Sequence, residues 1–157
     1  MRSVVLSFGA FCAFGVCSAL AQTSGLRFAD ELDWKPAPAD LPRGADIAVL
    51  FGDPTASGPF VVRVRAPAGY LVPAHKHPDA ETVTIISGAL RFGEGQRLDP
   101  SVEKFLHAGD FVAATPGMGH WFTVNEDAVV QVSGAGPWKI EYLDPRDDPR
   151  HKGAMRD

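Results

Sequence analysis

From residue 46 onward, apolar and polar residues alternate with a period of two in a series of short runs. The runs are DIAVLFG, PFVVRVRAP, ETVTIISGALRFG, FLHAGDFVAATPG, HWFTVNE, AVVQVSG and PWKIEYL. Such alternation places every second side chain on one face, as in a half-buried β-strand. Segments dense in Gly, Pro, Asp and Ser, such as GDPTASGP, predict turns, and we interpret ETVTIISGALRFG as two strands joined at Ser87 and Gly88. No run keeps a helical period over three turns, so the pattern predicts an all-β sandwich or barrel.

The two ends of this region depart from the alternating pattern. Residues 22–45 are rich in proline and charge, and we expect an irregular N-terminal arm that Trp34 anchors to the body. Residues 144–157 are charged and interrupted by proline, which predicts a surface strap or a disordered tail. Residues 46–143 then form a single β-domain, as the length of 157 residues favours.

Residues 1–21 have the features of a signal peptide. Arg2 gives a positive start, VVLSFGAFCAFGVC is a short apolar stretch, and residues 19–21 form the small-x-small site Ala-Leu-Ala. This pattern predicts cleavage before Gln22, and the apolar stretch is too short to span a bilayer comfortably. Without an Arg-Arg pair the signal is of the Sec type. We therefore expect a periplasmic or secreted mature protein.

Cysteine content and net charge limit the disulfides and the partners that the mature chain can have. Cys12 and Cys17 both lie in the predicted signal, so the mature chain would have no disulfide. The formal net charge is −4, and loss of Arg2 leaves 14 basic (15 − 1) against 19 acidic residues, or −5. This balance argues against nucleic-acid binding. No later segment is long and apolar enough to predict a membrane partner after signal cleavage.

The stretch GYLVPAHKHPDAETVTIISG, residues 69–88, carries the candidate chemistry. Residues i and i+2 of a strand share a face, about 6.5–7 Å apart, so His75 and His77 can aim at one point. Pro78 favours extended backbone at His77 and ends the strand, and Glu81 opens the next strand. Two imidazoles facing a carboxylate outline a metal site, because this mixed N/O set suits Fe, Mn, Co, Ni, Cu and Zn.

This stretch resembles the first motif of the cupin superfamily, Gly-x5-His-x-His-x3-Glu-x6-Gly. The residues at its five defined positions are Gly69, His75, His77, Glu81 and Gly88. We expect the two glycines to supply turn geometry.

The second cupin motif, Gly-x5-Pro-x-Gly-x2-His-x3-Asn, is matched more loosely. Its two glycines and its histidine correspond to Gly109, Gly117 and His120. Thr115 stands at the proline position, with Pro116 one place late, and Val124 stands at the asparagine position, followed by Asn125. The histidine is therefore well placed, but the turn before it is altered.

The resemblance covers roughly residues 46–143 and implies a double-stranded β-helix, or jelly-roll, barrel. It also implies one divalent transition metal, held by His75, His77, Glu81 and His120. Its identity stays open, because the affinity order favours Cu and Zn whereas the ligand set suggests Fe, Mn or Ni. Cupins often form dimers through barrel edges and N-terminal arms, so a homodimer is possible, but the arm could equally fold back on its own barrel.

Each candidate also has a structural interpretation. Glu81 could be an exposed strand-end carboxylate, His120 could be structural, and a metal-free cupin could keep the motif for shape. We interpret His107 as structural or exposed, and His151 as solvated. The large side chains near the motifs are assigned to the core: Phe111, Met118, Trp121, Phe122 and Trp138. Among them Phe122 shares parity with His120 and is the first choice for a pocket wall.

Two arginines leave a question of orientation. Arg63 and Arg65 share one face of their strand, and a solvated face is the default. Inside the barrel they would instead bind an anionic ligand, since guanidinium pairs well with carboxylates. Gln131 raises the same question.

Four protein ligands would leave up to two positions on an octahedral ion, where substrate, water or oxygen binds. Three kinds of function follow: a metal-dependent enzyme, a non-catalytic protein that binds a small ligand or metal, and a structural cupin. An enzyme of the dioxygenase, oxidase, isomerase or lyase type, acting on a small molecule, is the leading hypothesis. In it Glu81 could leave the metal and act as a base, with Gln131 and Thr84 as further candidates for proton transfer. The fold alone leaves substrate and reaction open.

Overall fold

A computed structural model of the protein describes residues 25–151. The predicted signal peptide and cleavage site, and residues 152–157 of the predicted tail, lie outside the described residues. Between residues 25 and 151, no helix is long and apolar enough to cross a membrane.

The regular secondary structure of the described residues consists almost entirely of strands. They are β1 (Lys35–Pro36), β2 (Asp46–Phe51), β3 (Gly58–Ala66), β4 (Leu71–Lys76), β5 (Glu81–Glu94), β6 (Lys104–His107), β7 (Phe111–Ala114), β8 (His120–Gly136) and β9 (Glu141–Tyr142). Three single turns of 3₁₀-helix accompany them: Ala29–Glu31, Pro100–Val102 and Pro145–Asp147. The all-β prediction is confirmed.

All nine strands belong to one antiparallel sheet that folds over itself as a jelly roll. The hydrogen-bonded order is β1-β2-β3-β8-β4-β9, and β5 pairs with β6, β7 and β8. Among the described strands the pairing does not return from β9 to β1. The predicted jelly roll is thus confirmed, but the barrel is not closed, because the two ends of the sheet do not pair.

The long strands β5 and β8 each join two of the predicted strands. ETVTIISGALRFG is one strand and does not turn at Ser87 and Gly88 as expected. Its register with β8 shifts on both sides of Ser87, and Gly88 has φ +79°. A Cβ at Gly88 would collide with the carbonyl oxygen of Asp127. A bulge therefore bends β5 without ending it.

The inner face of the sheet forms the core. The register places Val62 opposite Val132 and Val64 opposite Val130, and all four side chains are buried. Three of the aromatic and methionine side chains assigned to the core pack at its margin: Met118, Phe122 and Trp138. Phe111 was assigned wrongly, since it is 60% exposed; it lies opposite Thr84, in the row of side chains that faces away from the core.

The N-terminal arm lies against the sheet. β1 pairs with β2, and the guanidinium of Arg65 lies 4.7 Å from the centroid of the Trp34 ring. The expected contact of Trp34 with the body is thus present as a cation–π pair. Further along the arm, Leu41 and Ala45 are buried.

Candidate metal centre

Three histidines meet where β4 and β8 pair. His75 on β4 and His120 on β8 are direct cross-strand partners, and His77 follows the last residue of β4. Each offers a ring nitrogen, and the three nitrogens lie within 4.8 Å of one another. The side chains are all buried. The structure therefore brings together three of the four predicted ligands in a group that could hold a metal ion.

Main-chain carbonyls fix the orientation of all three rings. The Nδ1 atoms lie 2.7 Å from Pro73 O for His75, 2.7 Å from Lys139 O for His77 and 3.0 Å from Met118 O for His120. A carbonyl can only accept, so each Nδ1 carries the proton and donates it. Each Nε2 is left with a lone pair, which is the form that binds a metal.

Burial keeps these rings neutral. It is the largest cause that lowers the pKa of His77 and of His120, and it lowers the pKa of His75 well below the usual value. The neighbouring rings lower the pKa of His75 further, because two imidazolium charges would repel.

The altered second motif still builds the turn that the site needs. Gly117 has φ +77°, a conformation that favours glycine. Its N–H donates to the carbonyl of His77 at 2.8 Å, and Met118 N–H donates to the carbonyl of Thr115 at 3.0 Å. The turn that precedes His120 therefore also holds the segment that carries His77.

Glu81 lies beside the histidines and outside the group of three. It is the first residue of β5 and is buried. Its Oε2 lies 3.4 Å from His77 Nε2 and accepts a 2.7 Å hydrogen bond from Trp138 Nε1. Burial raises the pKa of Glu81 to about 7, although His120 and the Trp138 hydrogen bond act in the opposite direction. Ligation by Glu81, as by the histidines, stays a prediction.

The contact between His77 and Glu81 tests whether the site suits a cation. His77 Nε2 is buried and has no hydrogen-bond partner among the described residues. With Nδ1 protonated, a lone pair on Nε2 faces a carboxylate oxygen across 3.4 Å. Two lone pairs repel at this distance unless a proton or a cation lies between them. Three imidazole nitrogens and a carboxylate form a donor set that divalent transition metals accept, so these residues fit such an ion.

A small apolar cavity adjoins the histidines. Its walls are Leu41, Val64, Tyr70, Val72, His75, His77, Glu81, Val83, Phe122, Val130, Val132, Trp138 and Ile140. Its free volume is about 30 Å³, enough for roughly two waters. Phe122 therefore lines the pocket wall as predicted. Two larger grooves, of about 440 and 480 Å³, open at the surface without any of the three histidines.

The polar side chains of uncertain orientation lie on the opposite face of the sheet. Arg63, Gln131 and Thr84 occupy one cross-strand row, which alternates with the inward Val62, Val64, Val130 and Val132. Arg63 Nε donates to Gln131 at 3.4 Å, and the exposed Arg65 pairs with Asp46 at 2.9 Å. The solvated interpretation of the arginines is confirmed, and Gln131 and Thr84 are wrong as candidates for proton transfer in this cavity.

Two side chains at the site escaped the sequence analysis. Trp138 was assigned to the core, yet it donates to Glu81 and stacks on His77 with ring centroids 6.3 Å apart. Leu41 reaches the cavity from the arm, which was expected to be irregular. Neither residue belongs to a motif, and both contacts span long stretches of sequence. His107 and His151 are exposed and do not belong to the group of three.

The comparisons with known proteins agree with this geometry. The family model described as "Cupin domain" matches residues 62–133, which include all four predicted ligands. Residues 62–133 therefore belong to the cupin superfamily. No curated protein matches it.

Solved structures share the cupin fold at low sequence identity. The polyketide cyclase RemF from Streptomyces resistomycificus is 12% identical, with 83% of this chain and 93% of that chain covered and a TM-score of 0.65. An RmlC-like cupin from Ralstonia eutropha is 23% identical, with 80% and 76% covered and a TM-score of 0.61. The DMSP lyase DddQ from Ruegeria pomeroyi is 22% identical, with 68% and 57% covered and a TM-score of 0.52. At these identities the likeness concerns the fold.

Proposed function

We propose that this cupin is exported to the periplasm or beyond and binds one divalent transition metal through His75, His77 and His120. Glu81 acts as a fourth ligand or as a base, and the centre performs metal-assisted chemistry on a small molecule, of the dioxygenase, oxidase or isomerase type. The observation that carries the proposal is the unpartnered Nε2 of His77, buried beside Glu81 and two further imidazoles.

Each residue has a distinct role in this proposal. The three Nε2 atoms hold the ion, which when bound supplies a Lewis acid that polarises a coordinated oxygen. Glu81 accepts or returns a proton at its carboxylate, and Trp138 positions that carboxylate through its N–H. The valine and Phe122 walls limit the space for water to a small cavity, which strengthens charge interactions near the ion.

A small-molecule substrate is supported by two observations. The cavity beside the histidines is narrow and apolar, and such concave apolar sites bind small molecules. Cupins with a similar fold include a polyketide cyclase and a DMSP lyase.

The second candidate is a cupin that binds a metal or small ligand without turnover. It is favoured by the small free volume of the cavity, since about 30 Å³ leaves little room for a substrate. The two candidates differ in whether the ion keeps a position that an added ligand can reach, as catalytic centres do.

Loading the mature protein with Co²⁺ tests both candidates. We expect about one Co²⁺ per chain and a visible spectrum that changes saturably when azide is added, because the protein ligands leave an open position. A Co²⁺ spectrum that does not change when azide is added would support binding without turnover. Failure to take up Mn, Fe, Co, Ni, Cu or Zn would contradict the proposed centre.

Replacing Trp138 with phenylalanine keeps an aromatic ring beside His77 but removes the N–H that holds Glu81. We expect metal affinity to fall about 10-fold, since lost outer-sphere hydrogen bonds lower affinity about 10- to 100-fold. Competition with a chromophoric chelator measures this. Trp34→Phe in the arm is the matched control and should leave affinity unchanged; equal losses in both variants would argue against a role for the Trp138 N–H.

A further inference from the structure

The arm contains a loop, residues 38–44, that is closed at its base and reaches the cavity at its tip. At the base, Ala37 N–H donates to Ala45 O at 3.0 Å, and β1 pairs with β2 beside this bond. Gly44 has φ +113°, where a Cβ would meet only Tyr70, at 3.8 Å. The loop is thus tied to the sheet at one end, with a glycine at the point where it leaves the sheet.

At the tip, Leu41 inserts into the apolar end of the cavity. Its side chain is 6% exposed and lines the same cavity as Val64, Val72 and Ile140. The neighbours Pro42 and Arg43 are half-buried and exposed. One side chain of an otherwise superficial loop therefore closes the apolar space next to His75 and His77.

Two tyrosine hydroxyls hold the tip in place. Tyr142 Oη donates to the carbonyl of Asp40 at 2.7 Å, and Tyr70 Oη donates to the carbonyl of Pro42 at 2.7 Å. These carbonyls flank Leu41 on both sides. The chain has two tyrosines in all, and both serve this contact.

The closed position also contains an unfavourable element. Asp40 Oδ1 is a buried side-chain oxygen without a hydrogen-bond partner among the described residues. A buried acceptor without a partner destabilises the state that buries it, and hydration on opening would relieve this. The loop is therefore held closed by one apolar side chain and two hydrogen bonds against an opposing contribution from Asp40.

We propose that residues 38–44 form a lid and that Leu41 occupies the subsite into which an apolar, uncharged part of the ligand binds. A group between isobutyl and phenyl in size replaces the Leu41 side chain when the lid opens. The walls named above include no lysine or arginine, so this end of the cavity lacks a partner for an anionic group. The inference deepens the proposed function, because the subsite adjoins the predicted metal ligands.

Limited trypsin cleavage in the presence of toluene tests the lid in the mature protein as purified, once its metal content has been recorded. Arg43 lies in the lid, and Arg97 lies in an exposed loop outside it. If toluene takes the place of Leu41, cleavage after Arg43 should accelerate about 10-fold relative to cleavage after Arg97. The double variant Tyr70→Phe/Tyr142→Phe should show a similar acceleration without toluene, because both hydrogen bonds to the lid are lost.

Two further variants locate the effect. Leu41→Ala should bind toluene at least 10-fold more tightly, because no side chain competes for the subsite. Leu90→Ala removes a buried leucine outside this cavity. The rate of cleavage after Arg43 in this variant should equal the wild-type rate, both without toluene and with it. Toluene that fails to bind the wild type and Leu41→Ala, or that slows cleavage after Arg43, would overturn the lid. Metal content is recorded separately, so a failure of the proposed metal centre can be distinguished from a failure of the proposed lid.

Discussion

Replacing His75 or His120 with alanine is expected to lower the affinity for a divalent transition metal by more than about 100-fold, a loss beyond that seen for outer-sphere partners. Each substitution removes one of three imidazole nitrogens that lie within 4.8 Å of one another. The alanine side chain also leaves a gap next to the remaining ring, since His75 and His120 have ring centroids 4.3 Å apart. Metal analysis of the purified variants, followed by chelator competition, measures the loss.

His107→Ala is the matched control for this experiment. His107 is exposed at the end of β6 and lies outside the group of three, so metal content should stay at the wild-type value. Circular dichroism would show whether each variant keeps its β-structure. A folded His120→Ala protein with wild-type metal affinity would contradict ligation by His120 and leave it a structural residue.

Replacing Trp121 with alanine is expected to lower the free energy of unfolding by about 3–5 kcal/mol. Trp121 is 0% exposed, and its Nε1 donates to Glu103 at 3.1 Å. The ring lies against Gly93, where any Cβ would collide with it, so the Trp121 side chain is closely packed. The loss corresponds to a fall in Tm of about 10–20 °C, which calorimetry or thermal circular dichroism would detect.

Trp34→Ala provides the comparison, because the same side chain is lost from a half-buried position in the arm. Its cation–π contact with Arg65 contributes about 1 kcal/mol at an exposed site, so Tm should change little. An equally small change for Trp121→Ala would mean that the segment around Glu103 collapses into the gap. Since Trp121 follows His120 directly, metal affinity should be measured in the same samples.

The sequence predicts the strands and the convergence of His75 and His77 well because both follow from local rules. Alternation at period two is a property of neighbouring residues, and the spacing of His75 and His77 places them on one side of a strand. The position of His120 came from the resemblance to the cupin motif. The pairing of β4 with β8 then explains why a residue 45 positions away meets His75.

Other features lie beyond local rules. The bulge at Ser87 and Gly88 depends on the long partner strand β8, which permits a register shift where the local composition predicts a turn. The exposure of Phe111 depends on the register of β7 with β5, which places Phe111 opposite Thr84 on the outer face. Leu41 and Trp138 reach the cavity through contacts between residues far apart in sequence, and no spacing of residues in the sequence predicts these contacts.

The use of main-chain carbonyls to orient the three imidazoles has a consequence for how this chain tolerates substitution. Pro73, Met118 and Lys139 contribute only their carbonyl oxygens to the rings, and every amino acid has such an oxygen. Their side chains can therefore change without loss of the acceptors, provided that the path of the backbone is kept. Natural variation at these three positions would then be constrained by conformation and packing, with little demand on side-chain chemistry.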